Sequence, residues 1–132
     1  MTIVVDCNVV AYVLNDPVRA QRIEAAISGH DLLAPELLRI EFMQVLWKNR
    51  STKGFDLVRA GLLLEAMRKL PLCLVPDAEL AEDALKVAWN RGLTVYDALY
   101  AALALREKAP LATFDGKLRE IATHLGITVL NV

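Results

Sequence analysis

Short apolar runs alternate with longer segments of helical periodicity along the whole chain. The runs TIVVD, DLLAP, LCLV and LATF predict buried strands, and ITVLNV at the end predicts a fifth. Between them, apolar residues recur at helical spacing, and Pro or Gly bounds several of the segments. Pro35 is expected in the first turn of the helix ELLRIEFMQVLWKN. This alternation predicts an α/β fold in one domain over residues 1–132, with a short, mostly parallel sheet flanked by helices on both faces.

One predicted helix, LTVYDALYAALAL, contains an unexpected acid. Between Tyr96 and Leu105, Asp97 is the one residue that is charged at neutral pH. A helix that is apolar on all sides is normally buried. A buried carboxylate is costly unless it is paired, hydrogen-bonded or bound to a metal. Thr94 offers a local explanation, because Thr94 and Asp97 have the spacing of a capping box.

Asp6 and Asp115 each follow a predicted strand, in VVDCNVV and LATFDGKL. Either acid alone is explained as a helix cap or a turn residue. However, ligand sites in open parallel sheets lie at the carboxyl ends of the strands. Both acids are therefore also candidates for one site at that edge of the sheet.

Glu41 is the acid that capping cannot explain, because it lies well past the start of the helix ELLRIEFMQVLWKN. It shares one side of that helix with Leu38, Phe42 and Val45, so it interrupts an apolar stripe. A buried pair with Arg39 or another arginine, or a position at the edge of the stripe, are the structural alternatives. We favour a metal ligand.

Together the four acids predict a metal site. Carboxylates packed closely repel one another and resist ionisation, and a divalent cation removes that conflict. Mg²⁺ and Mn²⁺ prefer oxygen ligands and keep several waters. Such an ion activates water and stabilises charge on phosphoryl oxygens, which suits phosphodiester hydrolysis.

Composition narrows the function classes. The 15 basic and 16 acidic residues give a net charge of −1, so the chain is not a general nucleic-acid coat, although a local basic patch suffices for an enzyme. Apolar residues make up 55%, which indicates a surface covered by another chain.

Cys7 and Cys73 lie in apolar runs and are expected to be small buried side chains in a reducing cytoplasm. No signal peptide or membrane span is expected.

The order VVDCN, PELLRIEFMQVLW, LTVYDALYAALA and LATFD resembles PIN-domain ribonucleases, most closely the VapC-type toxins of toxin–antitoxin pairs. The resemblance covers essentially the whole chain. It implies that Asp6, Glu41, Asp97 and Asp115 surround Mg²⁺ or Mn²⁺. The implied activity is metal-dependent endonucleolytic cleavage of RNA.

The resemblance also assigns supporting residues and partners. Asn8 occupies the family's small polar position two residues after the first acid, and Thr113 fills the T-x-D position and would support Asp115. The family's toxins are held inactive by a cognate antitoxin and form dimers. The implied partners are therefore an RNA substrate, an antitoxin and a second copy of the chain, with no membrane.

RNA would need cations near the acids, because the acids repel phosphate. Lys117 and Arg119 follow Asp115 closely and are the preferred candidates, with Arg39 third. Lys48, Arg50 and Lys53 are further candidates, and ordinary solvated charge explains most of these cations.

The helix FDLVRAGLLLEAMRKL has three consecutive leucines, which cannot share one face. With the preceding helix it could form a groove for a partner segment, or a wide internal contact.

Two other functions remain open. A haloacid-dehalogenase-like phosphohydrolase also places an acid after a first strand, but here Asn8 replaces its second acid and Glu41 has no role. A non-catalytic PIN-like interaction domain would use the four acids as caps and ion pairs.

Overall fold

Four parallel strands form one sheet, with the order β3-β2-β1-β4, in the computed structural model, which describes residues 1–132. Every neighbouring pair is parallel, and Val4 of the central strand β1 pairs with Leu33 of β2 and Leu111 of β4. The four predicted strands are confirmed. Their bounds are β1 Thr2–Val5, β2 Asp31–Pro35, β3 Leu72–Val75 and β4 Leu111–Ala112.

Seven helices connect the strands, with a short 3₁₀ helix at Asn49–Ser51. None of them has both the length and the apolar content needed to cross a membrane. Several begin at a side chain that accepts the backbone N–H three residues later, as Asp16 does for α2 and Asp56 for α4. The helices are α1 Cys7–Asn15, α2 Pro17–Ile27, α3 Leu37–Lys48, α4 Leu57–Arg68, α5 Asp77–Arg91, α6 Val95–Glu107 and α7 Gly116–His124.

The order of the strands places the helices on both faces of the sheet. The chain moves in one direction from β1 to β2 to β3 and then returns across the sheet to β4. Because parallel crossovers are right-handed, the helices before β3 and those after it lie on opposite faces. In agreement, α1 contacts α2, α3 and α4, whereas α5 packs on α6. The predicted fold class is therefore confirmed.

The core is centred on β1 and α6. Every residue of Ala98–Ala104 is buried, as are Ile3, Val4 and Val5 of β1. The alanines of α6 let its backbone lie close to the sheet, and α6 contacts β1, β2 and β4. Asp97 and Tyr100 are thereby attached to one of the most enclosed elements of the molecule.

Three expectations from the sequence are wrong. ITVLNV is not a fifth strand, because β4 has only two residues and Val129 forms a single isolated bridge with Leu111. Pro35 ends β2 and does not lie in the first turn of α3, which begins at Leu37. Cys73 is exposed, because it lies on β3 at the edge of the sheet, whereas Cys7 is buried as expected.

Candidate metal centre

The four predicted acids line one cavity of about 210 Å³ at the carboxyl edge of the sheet. Asp6 follows β1 directly, and Asp115 is the N-cap of α7 shortly after β4. Glu41 comes from α3 and Asp97 from the first turn of α6. The sequence therefore identified acids from four separate elements that the fold brings together. The other lining residues are Cys7, Asn8, Gln44, Val45, Lys48, Tyr100 and Leu118.

Asp6 is the most buried of the four acids, with 6% of its surface exposed. Its carboxylate caps α1 by accepting the Val9 N–H at 3.1 Å, and it accepts a short hydrogen bond from the Thr113 hydroxyl. The pKa of Asp6 is raised from 3.8 to about 6, mainly by burial and in smaller part by the charge of Asp115, although the hydrogen bonds from Thr113 and Val9 act in the opposite direction. Capping is thus real, but it leaves a carboxylate that is costly to ionise.

Thr113 supports two acids in a way that differs from the sequence expectation. Its side chain is completely buried, and its hydroxyl donates to Asp6 while its oxygen accepts the backbone N–H of Asp115 at 3.0 Å. The Asp115 carboxylate instead accepts the Leu118 N–H at 2.8 Å. Thr113 therefore orients Asp6 directly and Asp115 through its backbone.

Glu41 is held by Tyr100, a residue to which the sequence analysis assigned no role. The Tyr100 hydroxyl donates to Glu41 Oε1 at 2.5 Å. Burial raises the pKa of Glu41, and the charges of Asp97 and Asp6 add to the effect. Burial and the Glu41 charge raise the pKa of Tyr100 as well, so its phenol stays a donor. The sequence signal for Tyr100 is its position three residues after Asp97, on the same side of α6.

Asp97 forms only half of the expected capping box. Its backbone N–H donates to Thr94 Oγ1 at 3.2 Å, but its carboxylate accepts no backbone N–H in return. Burial raises the pKa of Asp97 and the charge of Asp115 adds to the effect, whereas hydrogen bonding with the Thr94 side chain and the charge of Lys117 lower it. The cap therefore fixes the first turn of α6 and leaves the carboxylate to the cavity.

None of the four carboxylates has an ion-pair partner. The ion pairs of the structure join Arg19 to Asp16, Arg68 to Glu65, and Arg106 to Glu79 and Glu107. The proposed pairing of Glu41 with an arginine is therefore not formed. The cavity collects negative charge that the protein itself leaves uncompensated.

The predicted cations lie in three different settings. Lys117 is exposed and close enough to the acids to lower the pKa of Asp97. The Arg119 guanidinium donates to the backbone carbonyls of Thr113 at 2.9 Å and Leu130 at 3.4 Å. It therefore links the segment after β4 to the C-terminal segment. Arg39 lines a different cavity from the acids, whereas Lys48 lines the same one.

The lining of the cavity suits a hydrated divalent ion, although it does not form a preassembled metal site. No group of three or more His, Cys, Asp or Glu side chains is arranged to hold a metal ion as it stands. Mg²⁺ usually keeps several waters and binds through one or two carboxylates, so it does not need three converging side chains. Four unpaired carboxylates around a cavity of about 210 Å³ fit a hydrated ion of this kind. Cys7 does not compete as a nucleophile, because burial raises its pKa to about 12.

The chain belongs to the PIN domain family, whose model matches residues 3–123. A relative from Pyrobaculum aerophilum, named Ribonuclease VapC3, is 32% identical over 123 residues, which cover 91% of this chain and 94% of the relative. The resemblance to VapC-type proteins is thereby confirmed. It favours the PIN fold over the haloacid-dehalogenase-like alternative.

Solved structures share the fold. PAE2754 from Pyrobaculum aerophilum aligns with a TM-score of 0.71 at 23% identity, over 96% of each chain. VapBC2 from Rickettsia felis, described as bound to a DNA fragment from its promoter, aligns at 0.68 and 18% identity, over 99% of this chain and 98% of the other. FitAcB from Neisseria gonorrhoeae gives 0.68 and 18%, over 98% and 96%. At these identities the likeness concerns the fold.

Proposed function

We propose that the protein is a Mg²⁺- or Mn²⁺-dependent endoribonuclease that acts in the cytoplasm as the toxin of a type II toxin–antitoxin pair. One observation carries the proposal: four carboxylates without ion-pair partners line one cavity. The relative named Ribonuclease VapC3 supports an RNA substrate over other phosphodiesters. A non-catalytic PIN-like interaction domain is the alternative, and no specific observation favours it.

In this proposal Asp6, Glu41, Asp97 and Asp115 hold the ion. A bound divalent cation would activate water and stabilise charge on the phosphoryl oxygens. The protein contributes orientation, because hydrogen bonds from Thr113 and Tyr100 hold Asp6 and Glu41 in place. Asn8 lines the cavity and can donate its amide N–H to a water or a carboxylate.

Asp6 and Asp97 are the two candidates for accepting the proton of the attacking water. Both have a raised pKa, which for Asp6 reaches about 6. A divalent ion bound beside them would lower both pKa values, so each carboxylate would be ionised and able to accept a proton. For contact with the RNA backbone, Lys117 is the best placed of the three predicted cations, since Arg119 is bonded to carbonyls and Arg39 lies at another cavity.

The partner proposal rests on an apolar face between α3 and α4, where the sequence predicted a groove. This face surrounds a cavity of about 510 Å³ and includes Met43, Trp47, Leu57 and Leu64. Trp47 is 54% exposed and Leu57 is 87% exposed. A cluster of large apolar side chains that are exposed to solvent commonly marks an interaction surface. We assign the face to a segment of the antitoxin, and we propose that the chain also forms a homodimer.

The deciding experiment is an RNA cleavage assay on total RNA and tRNA with Mg²⁺ or Mn²⁺. The wild type and Asp83→Asn, an exposed acid of α5 far from the cavity, should cleave equally. EDTA and Asp97→Asn should each reduce cleavage to background, because each removes part of the metal site. Circular dichroism should show that all variants are folded.

Two results would contradict the proposal. Cleavage by Asp97→Asn at the wild-type rate would remove Asp97 from the site. If no RNA is cleaved and calorimetry detects no binding of Mn²⁺ to the wild type, the alternative of an interaction domain is correct. Expression in bacteria supplies an independent readout, since the wild type should arrest growth and Asp97→Asn should not.

A further inference from the structure

The carboxylate cavity opens into a longer groove. It shares Asn8 and Val45 with a neighbouring cavity of about 420 Å³. That cavity in turn shares Asn15 and Asn49 with a third one of about 390 Å³. We call this row of three adjoining cavities the amide groove. It runs from the acids, between α1 and α3, to the turn that joins α3 to α4.

The far end of the amide groove is cationic. Lys53 and Arg59 line it, both are exposed, and neither forms an ion pair with an acid. Arg59 donates to Asn15 Oδ1 at 3.3 Å, which orients the guanidinium across the groove. Asp56 is the one nearby acid, and its carboxylate is engaged in capping α4 at 2.9 Å. In a chain with a net charge of −1, this is a local concentration of free positive charge.

The middle of the groove offers amides and an aromatic ring. Asn8, Asn15 and Asn49 line it together with Tyr12 and several aliphatic side chains of α1 and α3. Its one acid, Asp16, is paired with Arg19 at 3.7 Å and caps α2, and the Arg19 guanidinium also lies over the Tyr12 ring at 4.2 Å. The groove therefore changes along its length from acids, through neutral amides, to unpaired cations.

We propose that the amide groove binds a single-stranded segment of the RNA substrate, an inference that rests on the proposed function. The phosphate to be cleaved lies at the acids, and a phosphate further along the strand contacts Lys53 and Arg59. Amide side chains can hydrogen-bond to the exposed edges of unpaired bases.

The charge pattern favours RNA over a protein segment in this groove. A polyanion gains most from two unpaired cations at one end, because each phosphate contact releases counterions. The acids at the other end repel phosphate until a divalent ion neutralises them, so only a strand anchored elsewhere can approach them productively. An apolar protein segment is better matched by the face at Trp47 and Leu57, which adjoins the groove at Leu46 and Phe55 but is mainly apolar.

The test compares Lys53→Ala/Arg59→Ala with Lys86→Ala/Arg91→Ala. The second pair removes the same charge from exposed positions on α5, outside the groove. Binding of a fluorescent single-stranded RNA is followed by anisotropy in EDTA, which prevents metal-dependent cleavage. The groove variant should bind on the order of ten-fold more weakly than the control variant. Its salt dependence, the slope of log K against log salt, should fall by about 0.7 for each phosphate that the variant no longer neutralises.

Cleavage in Mn²⁺ supplies the second readout. For a long RNA, KM should rise in the groove variant while kcat is unchanged, and for a dinucleotide too short to reach the cations neither constant should change. Lys53→Glu is a further variant, since Lys53 forms no hydrogen bond or ion pair that folding requires. It should weaken binding of long RNA more than Lys53→Ala does.

The outcomes separate this inference from the proposed function. If the wild type cleaves RNA and the groove and control variants bind RNA equally, the groove proposal is wrong, whereas the proposed ribonuclease activity is supported. If the wild type binds RNA through Lys53 and Arg59 but does not cleave it with any divalent ion, the groove stands and the proposed activity fails. No RNA binding by the wild type overturns the groove proposal and favours an acidic protein segment as its occupant.

Discussion

The helices α4 and α6 have similar length and apolar character, but they are buried to very different extents. α6 buries Ala98–Ala104 without interruption, whereas α4 buries only Met67 and leaves Leu57 and Leu62 exposed. The difference follows from their neighbours. α6 lies on the central strands of the sheet, while α4 contacts α1 and α3 from outside.

The comparison separates two uses of apolar sequence. The burial of α6 stabilises the fold and fixes Asp97 and Tyr100 at the cavity. The exposure of α4 contributes little to folding and provides surface for another molecule. Apolar side chains thus support the site in one helix and offer a contact surface in the other.

The largest expected effect tests this contrast directly. Leu103→Ala in α6 removes a side chain with no exposed surface and should lower the free energy of unfolding by about 2–5 kcal/mol. Leu62→Ala in α4, where the leucine is 68% exposed, should change it by less than about 0.5 kcal/mol. Urea denaturation measures both. Equal losses would show that α4 is covered in the folded protein, for example by a second copy.

The second test concerns Asp6, a buried acid of the cavity. Its replacement should stabilise the protein, whereas the replacement of Leu103 should destabilise it. The pKa of Asp6 is about 6 in the folded protein and 3.8 as the ordinary value. The folded state therefore binds more protons between these values, so the free energy of unfolding falls as pH rises through this window. Asp6→Asn should remove this pH dependence and stabilise the metal-free protein by up to about 3 kcal/mol above pH 6.

Thermal denaturation at several pH values measures this effect. At pH 3 the wild type and Asp6→Asn should have nearly the same stability, because the Asp6 carboxylate of the wild type is then mostly protonated in both the folded and the unfolded state. Mn²⁺ should stabilise the wild type and not the variant. A variant that is less stable than the wild type at neutral pH would show that the Asp6 charge is compensated within the protein.

The third test removes the link between Asp6 and Asp115. Thr113→Val keeps the size of the side chain but deletes the donor to Asp6 and the acceptor for the Asp115 N–H. Loss of such an orienting residue should weaken Mn²⁺ binding by about 10- to 100-fold. Thr113→Ser restores the hydroxyl and should restore affinity in calorimetric titration. If Thr113→Val binds Mn²⁺ as tightly as the wild type, the Thr113 hydroxyl does not orient the two acids for the metal.

The smallest expected effect concerns Tyr100 of α6. Tyr100→Phe deletes the hydroxyl that holds Glu41 and keeps the buried ring, so the core should be preserved. We expect Mn²⁺ to bind about ten-fold more weakly. Tyr12→Phe is the matched control, since Tyr12 packs edge-on against Phe114 at 5.0 Å and forms no hydrogen bond through its hydroxyl. Equal affinities in the two variants would leave Tyr100 with a packing role alone.

Much of the fold could be predicted from the sequence because the signals are local. Short apolar runs bounded by Pro, Gly or acids mark the strands, and helical spacing marks the helices between them. The prediction of a strand at the end of the chain was wrong for a physical reason. ITVLNV has strand propensity, but a ladder also needs a partner, and β4 provides only Leu111 and Ala112.

The candidate site was predictable to the extent that its residues break local rules. Glu41 interrupts an apolar stripe, and Asp97 lies in an apolar helix, so each signals a compensating interaction elsewhere. Arg119 and Tyr100 break no such rule. Arg119 resembles any solvated cation in the sequence, and Tyr100 resembles any core aromatic.

Local patterns in the sequence were enough to predict the four parallel strands, the helices between them and four acids that prove to line one cavity. Three hydrogen bonds became evident only from the packed structure: Thr113 donates to Asp6, Tyr100 donates to Glu41, and Arg119 donates to backbone carbonyls. Each of these is an interaction that the local pattern around either residue does not specify. Periodicity and propensity report on neighbours within one element, whereas hydrogen-bond partners between elements are selected by how the elements pack.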